Sequence, residues 1–152
     1  MLKAVVLAAL FVGAAGLVAV GSPARGAAAI AQGGVTPVAE STQTNESGQV
    51  SVSVTWAGST SGLVFQVALN SHSVNLDAYN LGDLAVLRTG QGLELRPTSW
   101  VAPKGGHHRE GTLVFPGQGP DGTDVLTSNV REMTLIIRDI AGVPERTFRW
   151  TW

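Results

Sequence analysis

The feature that most constrains the fold of this chain is an alternation of apolar and polar side chains with a period of two. It begins at Val50, Val52, Val54 and Trp56, which are separated by hydroxyl-bearing residues. Successive side chains of a β-strand point to opposite faces, so this pattern predicts a strand with one buried face. The alternation returns at 63–69 after a flexible turn, and the two segments are predicted to pair as antiparallel neighbours.

Further strand signals follow along the chain. Segments 84–88 and 93–96 flank a turn at 89–92, whose two glycines can adopt positive φ at little cost, and this predicts a hairpin. Three more strands are predicted at 111–115, 132–140 and 146–152. A short helical turn is expected within 77–84. Seven strands with short connections predict an all-β chain folded as a single immunoglobulin-like antiparallel β-sandwich.

The N-terminal segment has the layout of an export signal. Lys3 gives a positive start, residues 4–20 form an uncharged apolar run, and Ala29 to Ala31 supply an A-x-A cleavage site. Residues 1–31 are therefore predicted to be a signal peptide, and the protein to be secreted or extracytoplasmic, in the cell envelope. The alternative is an uncleaved membrane anchor, because the run approaches the roughly 17 to 25 residues that span a bilayer.

Residues 32–48 are predicted to be a flexible linker, because their polar composition offers little apolar surface to bury. The β-sandwich domain is predicted to follow at 49–152. The chain has no cysteine, which excludes disulfides and a lipid-modified cysteine anchor. Removal of the signal peptide also removes Lys3 and Arg25, so eight basic residues remain against eleven acidic ones. The basic residues are spread along the chain, and we expect no nucleic-acid binding.

All three histidines lie in two short polar segments. His72 lies in the segment 70–77, and His107 and His108 lie in the segment 105–110. Both segments adjoin predicted strands, and loop residues held by strands are where binding groups usually sit. Adjacent residues of a regular strand point to opposite faces, so both neighbouring imidazoles could reach one ion only if the two preceding glycines permit an irregular backbone.

If the two segments converge, the sequence predicts a transition-metal site. His72 and one or both of His107 and His108 would supply nitrogen ligands, and Asp77 or Glu110 would supply an oxygen. Such a ligand set suits copper or zinc, because these metals accept imidazole together with carboxylate. The alternative is structural: the imidazoles donate hydrogen bonds to loop carbonyls and hold two chain crossings in register.

An enzyme is not expected. The chain lacks cysteine, a G-x-S-x-G nucleophile motif and a G-x-x-x-x-G-K-[ST] phosphate loop, and no calcium-loop spacing is present. Aromatic residues that alternate along a strand belong to a core or an interface more often than to a ligand groove, and we expect this of the tryptophans here. Trp100 is expected to lie nearest the histidines, because it directly precedes the segment that carries two of them.

Two stretches resemble a family of small exported bacterial proteins of uncharacterised activity. They are LVFQVALNSHSVNLD at 63–77 and the segment 93–116, which contains RPTSW and GGHHREGTLVFP. The resemblance implies export and a β-sandwich, and no activity. Together, these patterns predict an exported binding or accessory module that binds copper or zinc through its histidines. The alternative is a structural or protein-interaction β-sandwich, without metal or catalysis, that docks a protein partner through an edge strand or a tryptophan-bearing face.

Overall fold

The computed structural model describes residues 42–60 and 62–152. The predicted signal peptide, 1–31, and the first part of the predicted linker, 32–41, lie outside the described residues. The strands are β1 (Thr42–Asn45), β2 (Ser51–Gly58), β3 (Leu63–Asn70), β4 (Ala85–Thr89), β5 (Glu94–Leu95), β6 (Ser99–Val101), β7 (His108–Phe115), β8 (Glu132–Ile140) and β9 (Val143–Thr151). A 3-10 helix (Leu76–Ala78) and helix α1 (Leu81–Leu84) connect β3 to β4. In these ranges, no helix has the length and apolar character needed to cross a membrane.

The strands form two antiparallel sheets and confirm the predicted all-β sandwich. The five-stranded sheet has the order β1-β2-β3-β7-β6, and the four-stranded sheet has the order β5-β4-β8-β9. The chain crosses between the sheets after β3, β5 and β7. All seven predicted strands are present, together with the short β1 and β6. β1 lies within the segment predicted as a linker, so residues 42–45 belong to the sheet and the domain begins earlier than predicted.

Inward-facing side chains of both sheets fill the core, as the alternation predicts. In β3, burial alternates along the strand, and in β8 Met133, Leu135 and Ile137 are all fully buried. The centre of the core is aromatic. Phe65 lies between the sheets. Its ring centroid is 5.2 Å from that of Trp150 and 5.8 Å from that of Phe115. Such tilted and edge-to-face contacts stabilise the core beyond the area that they bury.

The side chain of Gln43 links the two sheets at one edge of the sandwich. Gln43 of β1 donates from Nε2 to the carbonyl oxygen of Arg149 at 2.6 Å and accepts from the backbone N–H of Arg149 at 3.0 Å. The Gln43 amide therefore bonds to β9 much as a neighbouring strand would. Through this contact the edge strand of the five-stranded sheet is joined to the edge strand of the four-stranded sheet.

Candidate functional site

The two histidine-bearing segments lie side by side at one end of the sandwich. β3 ends where its antiparallel neighbour β7 begins, and Asn70 is paired with His108. Beyond the strands, Ser71 N–H donates to the carbonyl of His107 at 2.9 Å. Leu76 N–H donates to the carbonyl of Gly106 at 2.7 Å. The backbones of the two segments therefore meet, which is the condition on which the predicted metal site depends.

The two glycines before the double histidine have a steric role. A Cβ on Gly105 would overlap the carbonyl oxygen of His108, and Gly106 has a φ of +63° with open space around it. His108 N–H donates back to the Gly105 carbonyl at 3.2 Å, which closes a tight turn at the start of β7. Glycine is therefore required at 105 by close contact and favoured at 106 by backbone conformation.

Arg109 holds the loops around this end in place. Its guanidinium donates to the carbonyls of Leu76 at 3.0 Å and Tyr79 at 2.7 Å, and its Nε donates to the carbonyl of Pro103 at 3.2 Å. The guanidinium carbon also lies 5.7 Å from the ring centroid of Trp100, a cation–π distance. Trp100 thus lies against the residue that follows the double histidine. Sequence reasoning missed this role, although the alternation places Arg109 on the inward face of β7.

Asp77 is engaged by the same loops. Its Oδ1 accepts hydrogen bonds from the backbone N–H groups of Gly105 at 2.9 Å and Gly106 at 3.3 Å, and it lies 4.0 Å from the Arg109 guanidinium. The Gly105 hydrogen bond, supported by Gly106 and Arg109, lowers the pKa of Asp77 below its usual value. The predicted metal ligand therefore uses one carboxylate oxygen to hold the histidine loop.

The two neighbouring imidazoles have different partners. His107 Nδ1 lies 2.9 Å from the carbonyl oxygen of Val74, and His108 Nδ1 lies 2.9 Å from Asn70 Oδ1. Both partners are oxygen acceptors, so each Nδ1 carries the proton and Nε2 holds the lone pair of the neutral ring. The contact of His107 with a loop carbonyl is the arrangement that the structural alternative predicts.

His72 and His108 share a cavity of about 230 Å³ at the end of the five-stranded sheet. Glu46, from the turn between β1 and β2, and Asn70 also line it. Glu46 and Asn70 were not predicted as site residues, because the contact of the β1–β2 turn with this end depends on the fold. Glu110 lies elsewhere, in a neighbouring cavity of about 190 Å³ on the outer face of the same sheet.

The five predicted ligands are therefore divided among several positions. Within 42–60 and 62–152, no group of three or more histidine, aspartate or glutamate side chains is arranged to hold a metal ion. What the fold does bring together is a pair of imidazoles, those of His72 and His108, on one cavity.

Comparisons with known proteins add no relative. No protein-family model, no curated protein and no solved structure matches this chain.

Proposed function

We propose that this protein is an exported, extracytoplasmic binding module without catalytic activity, which takes a copper(II) or zinc ion at the cavity between His72 and His108. The observation that supports this proposal is that both imidazoles line one cavity. Imidazole nitrogen is a good ligand for both metals.

The surroundings of His108 favour this role. Asn70 accepts the Nδ1 proton, so the Nε2 lone pair is presented for coordination. Metal-binding histidines commonly donate their second ring nitrogen to an oxygen in this way, which sets both the tautomer and the ring orientation. With two protein nitrogens as ligands, water molecules would complete the coordination.

The test is titration of the untagged chain with copper(II) and with zinc, followed by calorimetry. We expect about one ion per chain, with affinity reduced at least about tenfold in His72→Ala and in His108→Ala, because each change removes one of two nitrogen ligands. His107→Ala is the matched control. This variant lacks the adjacent imidazole, whose Nδ1 is hydrogen-bonded to the carbonyl of Val74, and it should retain the wild-type affinity for the metal.

Two results would refute the metal proposal. One is the absence of stoichiometric binding by the wild-type chain. The other is an equal loss of affinity in His107→Ala and His108→Ala, which would indicate a general effect on the loop.

One observation favours the second candidate, a protein-interaction module. Val101 on edge strand β6 has 67% of its surface exposed and is the exposed large hydrophobic side chain of the described part of the chain. A photoreactive residue at position 101 should then give a discrete cross-linked product in the exporting cell. The same residue at Thr147, on the exposed face of β9, should give none. Equal labelling from both positions would argue against docking at β6.

A further inference from the structure

The outer face of the five-stranded sheet carries a groove that the metal proposal does not use. The cavity of about 190 Å³ lies over Ala68 of β3, which is flanked by Ser53 of β2 and Glu110 of β7. The next outward row along the strands, Ser51, Asn70 and His108, lines the histidine cavity. The two cavities therefore occupy successive rows of one sheet face.

The groove crosses three neighbouring strands, from Ser53 and Thr55 of β2 over β3 to Glu110 of β7. Two strand spacings span about 10 Å, which accommodates about two sugar units. Ala68, with its small side chain, forms the floor. Gln66 and Glu110 are both exposed and rise beside it.

The hydrogen-bonding groups of this face are held in position before any ligand binds. Thr112 Oγ1 donates to Gln66 Oε1 at 3.1 Å, which orients the amide and leaves its NH₂ group to donate outward. Ser53 shares a hydrogen bond of 2.8 Å with the hydroxyl of Thr44. One proton satisfies that contact, so the second hydroxyl proton of the pair is available to a ligand. Thr55 has the same relationship with a threonine of β1 at 2.7 Å.

The charge and chemistry of the face narrow the class of ligand. Within the described residues, the outward-facing positions of the five-stranded sheet carry one carboxylate, that of Glu110, and no lysine or arginine. An anionic polymer would find no cation to neutralise it. The inner strands already pair their backbone groups with their neighbours, so the polar groups of the groove are the hydroxyls of Ser53 and Thr55, the Gln66 amide and the Glu110 carboxylate. These groups pair well with ligand hydroxyls, since a carboxylate has two oxygens that accept together.

We propose that this groove binds an uncharged, linear oligosaccharide, with Glu110 and Gln66 bonding to its hydroxyls above Ala68. The proposal goes beyond metal binding and does not depend on it. The ligand is recognised through its hydroxyl groups, and it lies across β2, β3 and β7.

The experiment is an NMR titration of the ¹⁵N-labelled chain with cellotriose and with triacetylchitotriose, in the presence of EDTA so that no metal contributes. At least one trisaccharide should give saturable shifts centred on the backbone amides of Ser53, Gln66, Ala68 and Glu110. Glu110→Gln should weaken binding about tenfold, because a charged acceptor is replaced by a neutral one of similar shape.

Ala68→Phe is the decisive variant, because it fills the floor of the groove and removes no polar group. We expect it to weaken binding by at least about tenfold. Thr147→Phe is the matched control, since it adds an aromatic ring at an exposed position of β9 in the other sheet, and it should bind as the wild type does. Circular dichroism of each variant establishes that the sandwich is folded.

Three results would overturn the proposal. The first is that neither trisaccharide gives saturable shifts. The second is that folded Ala68→Phe binds as tightly as the wild type. The third is that an anionic hyaluronan tetrasaccharide binds at least as tightly as the neutral sugars. None of these outcomes bears on metal affinity, which is measured without sugar.

Discussion

Asp77 and Arg109 supply polar partners to the two histidine-bearing segments. The Asp77 carboxylate accepts from the N–H groups at 105 and 106, while the Arg109 guanidinium donates to carbonyls of the 3-10 helix region and of the loop before β7. Buried or half-buried backbone groups are costly to leave without partners. These two charged side chains therefore have a structural role.

The Asp77 contacts predict a pH dependence of stability. Its pKa is lowered in the folded state below the usual 3.8, so its contribution is present above that value and is lost as the pH falls through the folded-state pKa. Asp77→Asn removes the charge that the Gly105 and Gly106 N–H groups favour. Urea unfolding of both chains between about pH 6 and pH 2 should show wild type more stable at the upper end, with the difference disappearing under acid. A difference that stays constant across this range would contradict the prediction.

At the scale of elements, sequence reasoning found every strand whose pattern rests on apolar alternation. It missed β1 and β6. β1 reads Thr-Gln-Thr-Asn, with no apolar side chain, and is held by pairing with β2, by hydroxyl contacts across the two strands and by Gln43. β6 is three residues long, too short for a period to be recognised. The sequence singled out the two histidine segments, but their meeting depends on the pairing of β3 with β7, and the partner of each imidazole depends on the loop path.

The Gln43 contact gives a prediction about the edge of β9. Gln43→Ala removes both hydrogen bonds to Arg149 and should destabilise the fold by about 1 kcal/mol per bond or less, since the contact is exposed. Hydrogen exchange should show faster exchange of the Arg149 amide, which loses its acceptor. The amide of Phe148 is the internal control, because alternate residues of a strand bond to opposite sides and this one faces β8. Unchanged exchange at Arg149 would show that Gln43 does not protect it.

At the scale of the whole molecule, Arg146 joins parts of the chain that are far apart in sequence. It is 1% exposed, faces the core from β9, and donates to the carbonyls of Ile140 at 3.1 Å, Ser47 at 2.8 Å and Val50 at 3.3 Å. Burial lowers the pKa of its guanidinium. The β8–β9 turn and the turn between β1 and β2 are thus tied to one buried side chain.

Replacing Arg146 should therefore affect global stability. We expect Arg146→Ala to destabilise the fold by about 3 kcal/mol or more, because three carbonyls lose a charged donor and a cavity is left. Arg149→Ala, on the exposed side of the same strand, removes a surface ion pair with Glu132 and should cost less than about 1 kcal/mol. Urea denaturation of the two variants compares them directly. Equal effects would mean that the buried guanidinium adds little.

The adjacency of the rows Ser53–Ala68–Glu110 and Ser51–Asn70–His108 has a thermodynamic consequence. A metal ion and a sugar bound at these adjacent rows would contact or exclude each other, so binding of one would change the affinity for the other. Thermodynamic linkage requires that the metal ion changes the affinity for the sugar by the same factor as the sugar changes the affinity for the metal ion. Binding of either ligand could then be detected as a change in the affinity for the other, and this coupling would need no conformational transition.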